Sequence, residues 1–121
     1  MTMEQRENIR FPVKFRSSFS STGRVGGEGR VVDLSIRGCR IESPIEVQPG
    51  ATLEVQIQAI EHEPPILIQA AIVRWRRERQ FGLEFEVIVP TEWAHLQKFV
   101  KQLEMEPYLR DKQSAEFGGA S

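Results

Sequence analysis

The sequence predicts a mostly β domain of about six antiparallel strands, arranged as a small barrel or sheet and covered by one C-terminal helix. Two observations carry that expectation. Apolar and polar residues alternate in several strand-sized stretches set between Pro and Gly punctuation, and a single stretch near the end follows helical spacing. A third observation sets the scale. At 121 residues, 40% hydrophobic and 27% charged, the chain has the size and composition of one folded domain. The domain is expected over residues 1–106, with residues 107–121 as a flexible tail that ends in Gly118-Gly119-Ala120-Ser121.

Val13–Ser20 is the first strand candidate. Ser17–Gly29 contains Gly23, Gly26, Gly27 and Gly29 and reads as a flexible connection. Arg30–Ile36 and Cys39–Ser43 are strands separated by a short turn. In Thr52–Ala59, Leu53, Val55, Ile57 and Ala59 alternate with Glu54, Gln56 and Gln58, the period of a half-buried strand. Ile66–Arg76 is β-rich, but its alternation falters around Gln69, which suggests a bulge. In Phe81–Val87, Phe81, Leu83, Phe85 and Val87 form the inner face. Val73 and Trp75 are expected to share it, leaving Arg74 and Arg76 outward, with Arg77–Gln80 as the hairpin turn. After Pro90, Thr91 is a candidate N-cap and Glu92 suits the positive helix end. Trp93, Leu96, Phe99, Val100 and Leu103 then form an apolar stripe opposite Lys98 and Lys101. Pro107 ends the helix near Met105.

Net charge is −1, unevenly placed. Residues 1–40 hold eight Lys/Arg and four Asp/Glu, and residues 41–73 hold five Glu and no Lys or Arg. Residues 74–79 hold four Arg and one Glu. A basic arm beside a neutral body suits a small anionic ligand better than a long nucleic-acid surface, which calls for a basic excess across the domain. No apolar run approaches the ~20 residues of a membrane span, and Met1–Arg10 lacks an apolar signal-peptide core. With a single cysteine, Cys39, an internal disulfide is excluded. A soluble cytoplasmic domain is expected, with no membrane insertion. His62 and His95 lack metal-ligand spacing. There is no phosphate-binding Gly-Lys-Ser/Thr loop and no nucleophile–base constellation, so neither a cofactor nor an enzymatic activity is expected.

Two motifs are left. Arg6 and Arg10, four residues apart in Arg6-Glu7-Asn8-Ile9-Arg10, can present both guanidiniums on one side. That planar fork grips phosphate oxygens, or guanine O6 and N7, bidentately. Two arginines near a chain start also serve solubility. In Asp33-Leu34-Ser35-Ile36-Arg37-Gly38, strand alternation puts Asp33 and Ser35 on one face and Val32, Leu34 and Ile36 on the other. A carboxylate there can accept from guanine N1–H and its exocyclic amine, and Ser can donate or accept. Gly38 permits a sharp turn and a close backbone approach to a ligand. The same hexapeptide also reads as an ordinary strand end with an Asp/Ser turn.

Together, Arg-x-x-x-Arg and Asp-x-Ser-x-x-Gly resemble the PilZ family. Arg10-Phe11-Pro12-Val13 is similar to that family's first strand, and Val31–Ile41 to its second and third strands. Val73-Arg74-Trp75 with Phe81-Gly82-Leu83-Glu84-Phe85 is similar to its closing hairpin. The resemblance covers roughly residues 4–104. It implies a six-stranded antiparallel β-barrel with a C-terminal α-helix, in agreement with the pattern above. It further implies a receptor for the bacterial second messenger cyclic di-GMP. Arg6 and Arg10 would clamp phosphate and guanine, and Asp33, Ser35 and Gly38 would line the other side. Gln5, Arg37 and Trp75 are accessory candidates. Gln5 stands where many relatives carry an Arg linked to ligand stoichiometry, and Trp75 matches a family tryptophan near that barrel end. The resemblance implies signalling by conformational change to an unidentified protein effector, in motility or biofilm control. In this scheme the polar segment Met1–Arg10 is mobile alone and folds over the barrel with ligand. The alternatives are a nucleotide-independent PilZ-like adaptor and a single-stranded nucleic-acid module using Arg74, Trp75, Arg76, Arg77 and Arg79. An inward Trp75 would weigh against the latter.

Overall fold

The structure, a computed structural model, describes residues 9–21 and 26–105. Six strands precede one helix: β1 (Phe11–Ser21), β2 (Gly26–Leu34), β3 (Gly38–Glu42), β4 (Thr52–Gln58), β5 (Ile66–Arg77), β6 (Gln80–Val87) and α1 (Pro90–Met105). All neighbouring strands are antiparallel, and they close into a barrel in the order β1-β2-β3-β6-β5-β4, with β4 pairing back onto β1. Among the described residues, closure leaves no strand at an open sheet edge.

The core follows from alternation. Phe11, Val13, Phe15 and Phe19 on β1, and Leu53, Val55 and Ile57 on β4, are buried between more exposed neighbours, polar except for Pro12. Phe19 meets Phe81 edge-on at 5.3 Å between ring centroids, joining β1 to β6 through the interior. Phe15 meets Phe99 of α1 at 5.6 Å, also edge-on. Each such ring contributes roughly 1.5–3 kcal/mol through burial, and the Phe15–Phe99 contact ties the helix to the barrel. Leu96, Phe99 and Leu103 are the buried face of α1. Glu92 docks the first helical turn by accepting a hydrogen bond from the Leu67 amide of β5 at 2.9 Å.

Several expectations are corrected. The flexible connection foreseen at Ser17–Gly29 is mostly strand: Ser17 pairs with Gly29 and its hydroxyl donates to the Gly29 carbonyl at 3.1 Å. Small residues pack here as close strand neighbours rather than as a loop. Residues 22–25 lie outside the described residues. The helix begins one residue before Thr91, at Pro90, and the Trp93 amide bonds to the Val89 carbonyl. Thr91 therefore sits inside the first turn and is not the cap. Trp93 is 37% exposed and lies off the buried stripe. Val87 is 47% exposed: Phe85 pairs with Ala71 and Val87 with the adjacent Ala70, and this register shift breaks the alternation that would have turned Val87 inward. Gln80 belongs to β6, which leaves Glu78 and Arg79 as the turn, with Glu78 in the left-handed region at φ 56°.

The suspected irregularity near Gln69 is present: Val55 pairs with Ile68 while Leu53 pairs with Ala71. The change with most consequence lies farther along β5. Val73 pairs with Leu83 but Trp75 pairs with Gly82, so two steps on β5 match one on β6. That bulge reverses the facing of later residues. Val73 is 1% exposed and Trp75 is 41% exposed, so Trp75 points outward rather than into the core.

At Gly38 the backbones of β3 and β6 come unusually close. A Cβ at this position would lie 2.2 Å from the Leu83 carbonyl oxygen. Gly38→Ala is expected to cost roughly 3 kcal/mol or more in urea-unfolding free energy. At Gly26 a Cβ would meet nothing nearer than 3.7 Å, and Gly26→Ala is expected to change stability by less than about 1 kcal/mol. Equal costs at the two positions would contradict this packing.

Candidate functional site

A single cross-strand row sets out the site. Pro12, Asp33, Arg40, Gly82 and Trp75 are successive partners across β1, β2, β3, β6 and β5. Bulges place the row on the outer surface. On β2, Val31 pairs with Ile41 and Asp33 with Arg40, which leaves one β2 residue between them unmatched. Val31 and Leu34 then both face the core, fully buried, and Asp33 faces outward. The core residue is thus Val31, where simple alternation pointed to Val32.

Asp33 is held from two sides. Arg10 donates from Nη1 to Asp33 Oδ1 at 2.6 Å, and the Nε of Arg40 lies 3.1 Å from Oδ2. The Asp33 side chain is 15% exposed, against 51% for Arg10 and 41% for Arg40. Arg40 Nε is itself shielded from solvent and makes no aligned hydrogen bond, so its attraction to Asp33 is ionic.

Ser35 and Gly38 serve the turn between β2 and β3. The Ser35 hydroxyl accepts from the amides of Arg37 and Gly38 at 3.1 and 3.2 Å, and it lies 3.3 Å from the Gly38 carbonyl, to which it can donate. The Ser35 amide also bonds that carbonyl, at 2.9 Å. Ser35 is 1% exposed, so its polar groups brace the loop that presents Arg37. The Gly38 close approach is to β6, not to an open ligand surface. The turn is fastened to β6 by the Phe85 amide, which donates to the Arg37 carbonyl at 2.8 Å.

Trp75 lies against Gly82: a Cβ there would fall 2.2 Å from the indole Nε1. Only a glycine leaves room for the ring. Beside it, Arg74 Nε donates to Glu84 Oε1 at 2.6 Å. Arg10, Ser35, Arg37, Arg74, Trp75 and Glu84 surround a cavity of about 240 Å³. The sequence-derived candidates Arg10, Ser35, Arg37 and Trp75 therefore converge, with Asp33 bonded to Arg10. Arg6 and Gln5, with the rest of the expected arm, lie outside the described residues. Arg40 and Glu84 are not singled out by the sequence, and Arg74 only as part of the nucleic-acid alternative. The register of the β2–β3 hairpin would have found Arg40, since it stands directly opposite Asp33.

The arrangement has the outline of a known family, and the chain matches the PilZ domain over residues 4–102. The chain belongs to the PilZ family. Solved PilZ structures share its fold. The PilZ domain of CeSA from a cellulose-synthesizing bacterium superposes with TM-score 0.65 at 14% identity, covering 79% of this chain and 98% of that one. The PilZ domain of YcgR from Escherichia coli, solved with c-di-GMP, gives TM-score 0.67 at 17% identity, covering 91% and 97%. The motility inhibitor MotI/DgrA of Bacillus subtilis gives 0.67 at 17% identity, with 83% of this chain matching 51% of that one. This chain therefore spans about half the length of MotI/DgrA. No curated protein matches it by sequence. Among the described residues, no helix of the PilZ domain is long and apolar enough to cross a membrane.

A second concavity, of about 670 Å³, adjoins the first through Arg37. Ile36, Phe85, Ile88 and Trp93 form its apolar walls, with Glu86 and Gln97. Behind the row, Cys39 is fully buried, and its thiol is pushed up to about 12 by burial and by the Asp33 charge, with Arg10 acting in the opposite sense. The folded domain keeps this thiol protonated where an unfolded chain, with a pKa near 9.0, releases its proton. Its contribution to stability is complete below pH 9 and is lost as pH rises from 9 toward 12. Urea unfolding of the wild type should weaken across pH 9–11 by up to about 1.4 kcal/mol per pH unit more than that of Cys39→Ala. Parallel pH profiles for the two proteins would show that the thiol does not contribute.

Proposed function

We propose that this PilZ domain is a receptor for cyclic di-GMP and not an enzyme. The observation that supports it most is the convergence of Arg10, Arg37, Trp75 and the Ser35–Gly38 turn on one cavity, with Asp33 bonded to Arg10. The c-di-GMP-bound YcgR domain of similar fold supports the same reading. The cavity is smaller than the ~300–1,000 Å³ of pockets that enclose a drug-sized ligand. The dinucleotide would therefore seat a base in it and lie partly across the surface.

In this reading Arg10, joined by Arg6, takes phosphate oxygens and the guanine O6/N7 edge. The Asp33 carboxylate accepts from guanine N1–H and the exocyclic amine. Trp75 offers an exposed π-face for base stacking. Ser35 and Gly38 act by fixing the turn that carries Arg37. The functional unit is residues 1–106, including the arm, with residues 107–121 as a tail and the cytoplasm as the site of action. Signalling passes by conformational change to a protein effector in motility or biofilm control.

The adaptor reading draws on the apolar groove of Ile36, Phe85, Ile88 and Trp93, a surface suited to a protein contact with or without nucleotide. The exposed Trp75 removes one objection to a single-stranded nucleic-acid module. However, Arg74 pairs with Glu84 and Arg76 with Glu46 at 3.2 Å, which neutralises half of that arginine cluster.

Isothermal titration with cyclic di-GMP tests the receptor reading, with GMP and cyclic di-AMP as controls. Saturable binding is expected, weakened roughly tenfold or more by Arg10→Ala and weakened by added salt. A Trp93→Phe variant, which leaves Trp75 as the only tryptophan, should change fluorescence on binding, and the fitted stoichiometry addresses Gln5. No heat at high ligand concentration would remove the receptor reading and leave the adaptor in its place.

A further inference from the structure

The Arg10–Asp33 pair raises a difficulty for any anionic ligand that Arg10 must grip. In the structure the Arg10 Nη1 is spent on Asp33 Oδ1 at 2.6 Å. Moving that guanidinium to a phosphate takes a partner from a carboxylate that is only 15% exposed. A largely shielded carboxylate stripped of its counter-ion is costly. It would turn away toward another partner, and so lose the acceptor geometry that distinguishes guanine.

Arg40 is placed to prevent this. It stands directly opposite Asp33 in the β2–β3 register, with Nε 3.1 Å from the second oxygen, Oδ2. That nitrogen is hidden from solvent and has no aligned hydrogen-bond partner, so its charge is directed at Asp33 without being satisfied there. A shift of the carboxylate toward Arg40 would align that bond. On the other side of Arg40 in the row is Gly82, which offers no side chain to compete. Arg40 sits in the middle of a barrel strand, whereas Arg10 lies just before β1 begins. Of Asp33's two cations, one is built into the barrel and the other stands at its margin.

We propose that Arg40 is a positioning residue for ligand recognition: it remains the permanent counter-ion of Asp33 when Arg10 transfers to the ligand, and so holds the carboxylate aimed at the guanine edge. This rests on the cyclic di-GMP reading above. The site then works by exchange. Arg10 passes from carboxylate to phosphate, and Asp33 passes from two cations to one cation and a base. The role predicts an effect on discrimination as well as affinity. Adenine carries no N1–H or 2-amino donor for Asp33 to accept, so weakening the hold on Asp33 harms guanine recognition more than recognition of the shared phosphates.

The test is calorimetric titration of the full chain with cyclic di-GMP and cyclic di-AMP. The proteins are the wild type, Arg40→Gln, Arg40→Lys, Asp33→Asn and the double variant Asp33→Asn/Arg40→Gln, each checked by circular dichroism and thermal melting. Arg40→Gln should lose roughly tenfold in cyclic di-GMP affinity and narrow the preference over cyclic di-AMP. Arg40→Lys should regain most of both. In the Asp33→Asn background, Arg40→Gln should cost less than about twofold, because the partner it acts through is gone. An unchanged affinity in a folded Arg40→Gln, with the wild type binding, would overturn the role of Arg40 and leave the receptor reading intact. An equal loss with and without Asp33 would also overturn it, by showing that Arg40 acts on the ligand directly. Absence of binding by the wild type would remove the receptor reading, and the exchange with it.

Discussion

The structure depends on how a short barrel closes. Six strands must wrap around a core in which Phe15, Phe19, Phe81 and Phe99 fill the interior, and regular pairing throughout would not bend them enough. Bulges supply the bend, since each adds local twist and turns the following side chain to the opposite face. The same irregularities put Asp33 and Trp75 on the outside. Closing the core and displaying the site are thus one event. The residues of the row come from five strands and share a surface because each of those strands is paired directly to the next.

This coupling explains what could and could not be read in the residues. The β4 strand was legible throughout, because its period-two pattern runs unbroken from Leu53 to Ile57. The helix was legible from Leu96, Phe99 and Leu103, but its start was not. Pro90 fits a first helical turn as well as it fits a boundary, and the polar Thr91 beside it draws the expected cap two positions past Val89, whose carbonyl accepts the first helical bond. The glycine-rich stretch was misread because glycine content cannot separate a loose loop from a strand with close neighbours. Trp75 was turned the wrong way for a different reason. A bulge belongs to a pair of strands, and Val73-Arg74-Trp75 alone contains nothing of the spacing on β6.

The candidate site was half visible. Arg10, Asp33 and Arg37 could be recognised as charged residues in suggestive positions, and the structure brings them to one end of the barrel. The roles of Ser35 and Gly38 were less apparent. Both are polar or flexible residue types suited to meeting a ligand, yet the hydroxyl is absorbed by amides of its own turn and the glycine by the Leu83 carbonyl. A motif written as six residues therefore divides its labour. One member faces outward, one presents a guanidinium, and two hold the loop in shape. Arg40 escaped notice because its importance comes from its cross-strand neighbour, which no linear spacing displays.

The bond from the Phe85 amide to the Arg37 carbonyl gives the molecule a party wall. Arg37 borders both concavities, while Phe85 lines only the apolar one. The tether between them spans the partition, so the turn cannot tilt toward one chamber without dragging the lining of the other or snapping a backbone hydrogen bond. The two rooms thus share a wall braced by that bond and by the run of β6 from Leu83 to Glu86, which lines first one and then the other.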